Sequence, residues 1–509
     1  MNRSNGDGLS RRDLILSGAM LPLAGGALTM PRMARARDNG PRQGERPQGI
    51  ILMVSDGMSA GVPALAEPLS QLVRGTGTHW FDLARRSDVA RSFLLTESLS
   101  SMVTDSAAAS SAWGSGSQVF NGSINVLPDG TRLTPIANLA KTHDRAVGLV
   151  TTTRVTHATP AGIAAVQPSR DEEDEIATQY VDTVDIVLGG GRKHFDPRQR
   201  SDGTDVFGSF RKRGYRVCTQ RSELLEVGRA DKLVGCFWDD HLPYTVDQLN
   251  RPDEHAGVPT LAEMTRIALR SLSRNSGGFL LQIEGGRVDH GAHANDAAGT
   301  IWDQIAFDDA IGAVLEFVVQ HPDTLVIVTT DHGNANPGLN GMGKKYRDST
   351  ECFERLARVH ASFEYLYPAM QKILKSNGGL DHGDVAEFVR EHTGLALVTR
   401  EAKAIASVLS GEALDELHCH HRGIVGALGQ SVHNHTGIGW TGTAHTNEFA
   451  LTLAFGPGSE HFDGLMHHTE VFRIFTRLMG IDFENPSMTK REASRFTDAI
   501  PATVEPHWV

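Results

Sequence analysis

The sequence predicts an α/β protein: a three-layer α/β/α sandwich with a mainly parallel central sheet and a helical insertion. Short apolar runs recur along the chain and stop at polar or acidic residues, as strands buried on both faces do. Helical patterns separate these runs, the alternation that builds a parallel sheet. One long segment, residues 334–437, breaks the alternation: it is helical in propensity, rich in His and Lys, and has no clear strand signal.

The elements follow in order. Within residues 1–36, Ser10-Arg11-Arg12-Asp13-Leu14 opens an uncharged stretch reaching Met30, and Ala34-Arg35-Ala36 offers small residues for cleavage. This pattern resembles a Tat-type export signal and predicts a periplasmic or secreted protein. Residues 37–48 read as a Pro/Gly-rich linker. The catalytic core is expected over 49–333, with strands at Gly49-Ile50-Ile51-Leu52-Met53-Val54, Val147-Gly148-Leu149-Val150, Ile186-Val187-Leu188, Phe279-Leu280-Leu281-Gln282-Ile283 and Leu325-Val326-Ile327-Val328. One helix is expected after Pro259, at its first position, and a longer one through Ile301, Ile305, Val314 and Phe317. The insertion spans 334–437, the core returns over 438–485 with a strand from Ala450 to Phe455, and 486–509 form a tail.

Composition narrows the function. The chain has 509 residues, 40% hydrophobic and 22% charged, enough for a sizeable core. Its formal charge of −12 and the lack of a Lys/Arg block exclude a general nucleic-acid binder. Past the first 36 residues no segment reaches ~18 continuous apolar residues, so no membrane span is expected. Four cysteines show no C-x-x-C spacing, which argues against a cysteine zinc cage, whereas 23 histidines hint at metal chemistry.

The strand ends carry that chemistry. Asp56, Glu284, Asp331 and His332 follow three separate apolar runs, at the carboxyl ends where parallel sheets bind ligands. Asp289 and His293 are four apart, so one helical turn puts both on one side. His445, just before another strand, can complete their site. Carboxylate and imidazole suit Zn²⁺ at an open catalytic site, and the oxygens of Asp56 and Glu284 suit Mg²⁺. A nucleophile is available in Thr104-Asp105-Ser106-Ala107-Ala108-Ala109, which reads as the start of a helix. Ser106 there sits at the positive end of the dipole, with Asp105 or Ser106 as the cap. No G-x-S-x-G elbow surrounds it, so activation by a metal fits better than a hydrolase triad.

Together these residues resemble the alkaline phosphatase family. Asp56-Gly57-Met58, Thr104-Asp105-Ser106-Ala107-Ala108, Glu284-Gly285-Gly286-Arg287-Val288-Asp289-His290-Gly291-Ala292-His293, Thr330-Asp331-His332-Gly333 and His445-Thr446 stand in the family's order, over roughly 49–333 and 438–480. The resemblance implies two Zn²⁺ and one Mg²⁺. Asp289, His293 and His445 would hold the first Zn²⁺, Asp331, His332 and Asp56 the second beside Ser106, and Asp56, Glu284 and Thr159 the Mg²⁺. It also implies that Arg170 clamps phosphate, that Ser106 forms a phosphoserine, and that 334–437 is a crown-like insertion; a homodimer is left open. The bacterial prototype has Asp and Lys where this chain has His157 and His290, which here look like those of vertebrate-type enzymes. An imidazole at His157 weakens the case for Mg²⁺ at the third site and admits Zn²⁺ or Co²⁺. The lost Lys at His290 loosens product phosphate.

The expected function is therefore hydrolysis of small-molecule phosphate monoesters. A phosphodiesterase or sulfatase on the same metal core is the nearest alternative, and a non-catalytic exported metal-binding protein the alternative of another class. Other signals are discounted: His418-Cys419-His420-His421 as a metal tract, Gly189-Gly190-Gly191 as a phosphate loop, and His433-Asn434-His435, read as a solvated loop. His467-His468 is read as the capping region of a following amphipathic helix.

Overall fold

The computed structural model describes residues 46–377, 379–415 and 418–499, so the twin-arginine segment, most of the linker and the last ten residues lie outside it. Strands β1 (Gly49–Ser55), β2 (Ala90–Leu95), β3 (Ala146–Arg154), β4 (Ile186–Gly190), β5 (Arg216–Cys218), β6 (Leu233–Cys236), β7 (Phe279–Gly285) and β8 (Thr324–Thr329) belong to one large sheet. Two-residue strands follow: β9 (Gly333–Asn334), β10 (Gly338–Leu339), β11 (Ile438–Gly439) and β12 (His445–Thr446). β13 (Ala450–Phe455) and β14 (Gly464–His467) complete the ten-stranded sheet, in the order β14-β2-β13-β8-β1-β7-β3-β4-β6-β5.

Only β13 runs against its neighbours β2 and β8; the other pairs in the sheet are parallel. The layers are visible in β1, all of whose residues are buried. Ile50, Leu52 and Val54 enter one apolar core, whereas Ile51 and Met53 enter another on the opposite face. Alternate side chains of a strand point to opposite faces, so covering both with helices demands a run with no polar interruption. The expected strands are all present.

Sequence reading missed β2, β5, β6 and β14. β5 and β6 are only three and four residues long. β2 and β14 lie at the other margin of the sheet and are partly exposed, so neither is a continuous apolar run. Pro259 does not open a helix: Thr260 caps Leu261–Leu272 in a reciprocal bond with Glu263, leaving Pro259 outside. The longer helix is Ala297–Gln320, capped by Asp296.

Between β10 and β11 the chain is helical among its described residues, including Phe363–Asn377, His382–Thr393, Thr399–Leu409 and Ile424–Thr436. His433, Asn434 and His435 therefore lie in a helix rather than a solvated loop. His435 Nε2 bonds Glu401 at 3.0 Å, a partner that only tertiary packing supplies. These helices share an apolar core with Leu65 and Leu69 and with Ile301 and Ile305 of the long helix. Short antiparallel pairs, β10 with β11 and β9 with β12, close the segment where it leaves and rejoins the sheet. The second pair sets His445 opposite Asn334, three residues from Asp331.

Candidate active site

The helix Ser106–Ser115 is buried along its whole length and made mostly of Ser and Ala. Small side chains let it approach the helix Ala158–Ala164 closely. A Cβ on Gly114 would stand 2.0 Å from the Gly162 carbonyl oxygen, and Ser110 Oγ donates to Ala158 O at 2.8 Å. This contact fixes Ser106 relative to Thr159. Asp105 caps the Ser106 helix: Oδ1 accepts from Ala108 N, and Oδ2 accepts from Gly122 N, both at 2.9 Å. Ser106 Oγ lies 3.1 Å from His332 Nε2. It lines a cavity of about 590 Å³ together with Arg170, Asp289, His293 and His445.

The strand-end residues converge beside this hydroxyl. In the helix Arg287–His293, His293 Nε2 is 3.4 Å from Asp289 Oδ2. His445 Nε2 is 3.6 Å from Asp289 Oδ1. His332 Nε2 lies 3.1 Å from Asp331 Oδ2 and 3.7 Å from Asp56 Oδ1. Thr159 Oγ1 donates to Asp56 Oδ2 at 3.1 Å. Among the described residues, three donor groups have ligand atoms within 4.8 Å of one another: Asp289, His332 and His445; Asp56, Asp331 and His332; Asp56, His157 and Glu284.

Without cations, such crowding favours the protonated form of some of these carboxyls. Burial, reinforced by Asp331, Asp289 and Glu284, holds the Asp56 carboxyl well above the usual range. Burial likewise pushes Glu284 up to about 7 against the hydrogen bond from Thr151. Burial also raises Asp331, but His332 outweighs it and holds that carboxyl near about 2. Asp56 Oδ1 and Glu284 Oε1 are buried without a hydrogen-bond partner. His293 Nδ1 reaches the Thr443 carbonyl at 2.7 Å and His445 Nδ1 the Thr104 carbonyl at 2.8 Å. A carbonyl only accepts, so both Nδ1 atoms carry the proton and both Nε2 lone pairs face Asp289, as ligating imidazoles do. The donor set therefore suits bound metal.

A cationic side adjoins it. Arg170 Nη1 donates to Asp105 Oδ2 at 3.1 Å and Nη2 to His157 Nε2 at 2.9 Å. Because guanidinium only donates, His157 Nε2 is the acceptor and its proton sits on Nδ1. His157 also stands beside the Asp56 and Glu284 oxygens. The His157 and His290 rings lie 5.5 Å apart, and His241 packs edge-on to both. Burial, with nearby arginines, drives all three imidazoles well below their ordinary range, so they are neutral at pH 7.

Ser106, Asp105, Arg170, His157, His290 and the candidate metal ligands thus come into one region. Sequence reading missed Thr151 and Thr153, whose hydroxyls bond Glu284 Oε2, and Asn334, whose Nδ2 donates to Asp289 Oδ1 at 2.7 Å. Strand register explains the first: Thr151 pairs with Glu284 across β3 and β7. His241 was missed too; it lies in a loop after β6, with no motif around it. The His418–His421 tract braces the His445 loop instead: His418 Nε2 bonds Thr441 O at 3.0 Å and His420 Nδ1 accepts from Thr443 N at 3.1 Å.

A parallel α/β sandwich with clustered carboxylates and imidazoles at its strand ends, beside a serine at a helix start, defines the class of metal-dependent hydrolases. Residues 48–481 match the profile described as alkaline phosphatase, and the chain belongs to that family. It is a phosphatase, as its relatives are. Alkaline phosphatase 3 of Bacillus subtilis is 30% identical over 379 residues, spanning 72% of this chain and 75% of the relative. Streptomycin-6-phosphate phosphatase of Streptomyces griseus is 32% identical, over 64% of this chain and 81% of that protein. The crystal structure of Thermus thermophilus alkaline phosphatase superposes with a TM-score of 0.83 at 34% identity, covering 94% of this chain and all of that one.

Proposed function

We propose that the protein is an exported alkaline phosphatase that hydrolyses small phosphate monoesters through a phosphoserine on Ser106. The observation that carries this is Ser106 Oγ at a buried helix start, 3.1 Å from His332 Nε2 and lining one cavity with Arg170. Two Zn²⁺ are assigned to Asp289, His293 and His445 and to Asp56, Asp331 and His332. Mg²⁺ is assigned to Asp56, Glu284 and Thr159, with Zn²⁺ or Co²⁺ as competitors. What the cations supply when bound is electrostatic: they ease deprotonation of serine and water and neutralise charge on the oxygens entering and leaving phosphorus.

The chain's own groups do the rest. Ser106 Oγ attacks phosphorus, the P–O bond to the alcohol breaks, and phosphoserine remains. Water then attacks the same phosphorus, releasing phosphate and restoring the hydroxyl. N–H groups at the helix start and the Arg170 guanidinium hold the non-bridging oxygens. Asp105 orients Arg170 by accepting its Nη1 hydrogen. A monoester offers more terminal oxygens than a diester, which favours the monoester reading over a phosphodiesterase. The twin-arginine segment supports export.

Two displacements predict retention of configuration at phosphorus and transfer of phosphate to added alcohols. Ser106→Ala should lose turnover at least roughly 10³-fold while keeping its metal content. A variant with full activity, or inversion at phosphorus, refutes the phosphoserine route.

A further inference from the structure

The cavity beside Ser106 is far larger than a phosphoryl group needs. Its volume of about 590 Å³ lies within the ~300–1,000 Å³ typical of pockets that enclose drug-sized molecules. It is also lined by Trp238, Tyr367, Pro368, Ile424, Val425 and Leu428. Tyr367 and Pro368 belong to the helix Phe363–Asn377, and the three aliphatic residues to the helix Ile424–Thr436. Trp238 follows β6 and keeps 36% of its surface exposed, while Tyr367, Ile424 and Val425 are half-buried. These side chains retain apolar surface that a ligand can cover.

The arginines of the same cavity are paired with carboxylates. Arg154 bonds Glu173 at 2.7 Å and Asp240 at 2.6 Å. Arg287 is bonded by Glu364, and its guanidinium lies 3.9 Å from the Tyr244 ring centre. The bond to Glu364, which lies in the helix Phe363–Asn377, ties that helix to the one carrying Asp289, and Arg287 Nη1 also lies 2.7 Å from His290 Nδ1. A charged leaving group has to compete with these partners, whereas an apolar one meets no such competition.

We infer that this wall is a leaving-group subsite for an uncharged, flat aromatic alcohol. The inference rests on the phosphomonoesterase reading above. Trp238 and Tyr367 offer rings for stacked or edge contacts, and Ile424, Val425 and Leu428 an aliphatic face. The inserted helices thus select the ester, while the strand ends act on its phosphate.

The test compares the holoenzyme on phosphate esters of 2-(2-naphthyl)ethanol, ethanol and ethanolamine. The first two are primary alcohols of similar acidity, so their ratio reads the subsite rather than leaving-group chemistry. Covering the naphthyl ring should raise kcat/KM at least roughly tenfold over ethyl phosphate, mainly through KM, with no comparable gain for ethanolamine phosphate. Ile424→Ser and Trp238→Ala should each lower the naphthylethyl-to-ethyl ratio about threefold or more. Both esters are measured on one preparation, so any misfolded fraction cancels. Equal kcat/KM for naphthylethyl and ethyl phosphate, a preference for ethanolamine phosphate, or a ratio unmoved by both substitutions overturns the subsite while monoester hydrolysis stands. Hydrolysis of none of the esters overturns both readings.

Discussion

The Nε2 atoms of His293 and His445 stand 3.0 Å apart, each ring having committed its Nδ1 hydrogen to a backbone carbonyl. Burial lowers both imidazoles, His445 to about 3, so at neutral pH no second proton bridges them. Two lone pairs at that separation repel unless a cation lies between them. Chelation with EDTA should therefore abolish turnover and lower Tm together, and added Zn²⁺ should restore both. A chelated protein that keeps its Tm would show that this arrangement does not depend on metal.

Arg170 reaches the site through Asp105, and its fork can hold two phosphate oxygens. Arg170→Ala should lower kcat/KM for a monoester roughly 10- to 100-fold, corresponding to ~1.5–3 kcal/mol for hydrogen bonds to a charged group. Arg170→Lys should recover part of the loss, because it keeps charge without the fork. If activity on a diester falls as much as on a monoester, Arg170 does not select terminal oxygens.

The contact that positions Ser106 depends on Gly162, where a Cβ would meet Ser110 Oγ at 2.3 Å and Ser110 Cβ at 2.5 Å. Gly162→Ala should destabilise the protein by roughly 1–3 kcal/mol through overpacking. It should also reduce kcat well below the melting range, because the Ser106 helix must move. Thermal melts and single-temperature kinetics on one preparation check both effects. A normal kcat with a lowered Tm would separate packing from positioning.

Asp303 is buried where its Oδ2 accepts from Thr245 N at 2.9 Å, and burial pushes it from 3.8 up to about 7 despite that bond and Arg287. Between those values the folded chain holds a proton that the unfolded chain has lost. Stability from this group is thus full at low pH and is lost as pH rises through the window. Asp303→Asn keeps the acceptor without the charge. Relative to wild type, its Tm should gain as pH rises from about 4 to about 7; a constant difference would show that Asp303 does not titrate there.

Much of the site was legible because its residues sit at strand ends or one helical turn apart, positions that local periodicity marks. Asp56, Glu284 and Asp331 each end an apolar run, and Asp289 and His293 share a helix face. Thr151 and Asn334 were not legible: their partners, Glu284 and Asp289, are 133 and 45 residues away. β2 escaped because a strand with one exposed face mixes polar and apolar residues. The helix around His433 and His435 was misread because polar residues there find partners in Glu401, a contact between separate helices.

The amino-acid order by itself determined the sandwich, a serine at a helix start and the kinds of donor available, since these follow from burial periodicity and side-chain chemistry. Only the tertiary structure decided which donors meet, which imidazole nitrogen faces Asp289, and that the inserted helices wall the cavity. Those facts depend on strand order, register and the close approach of two small-residue helices, which bring together groups hundreds of residues apart.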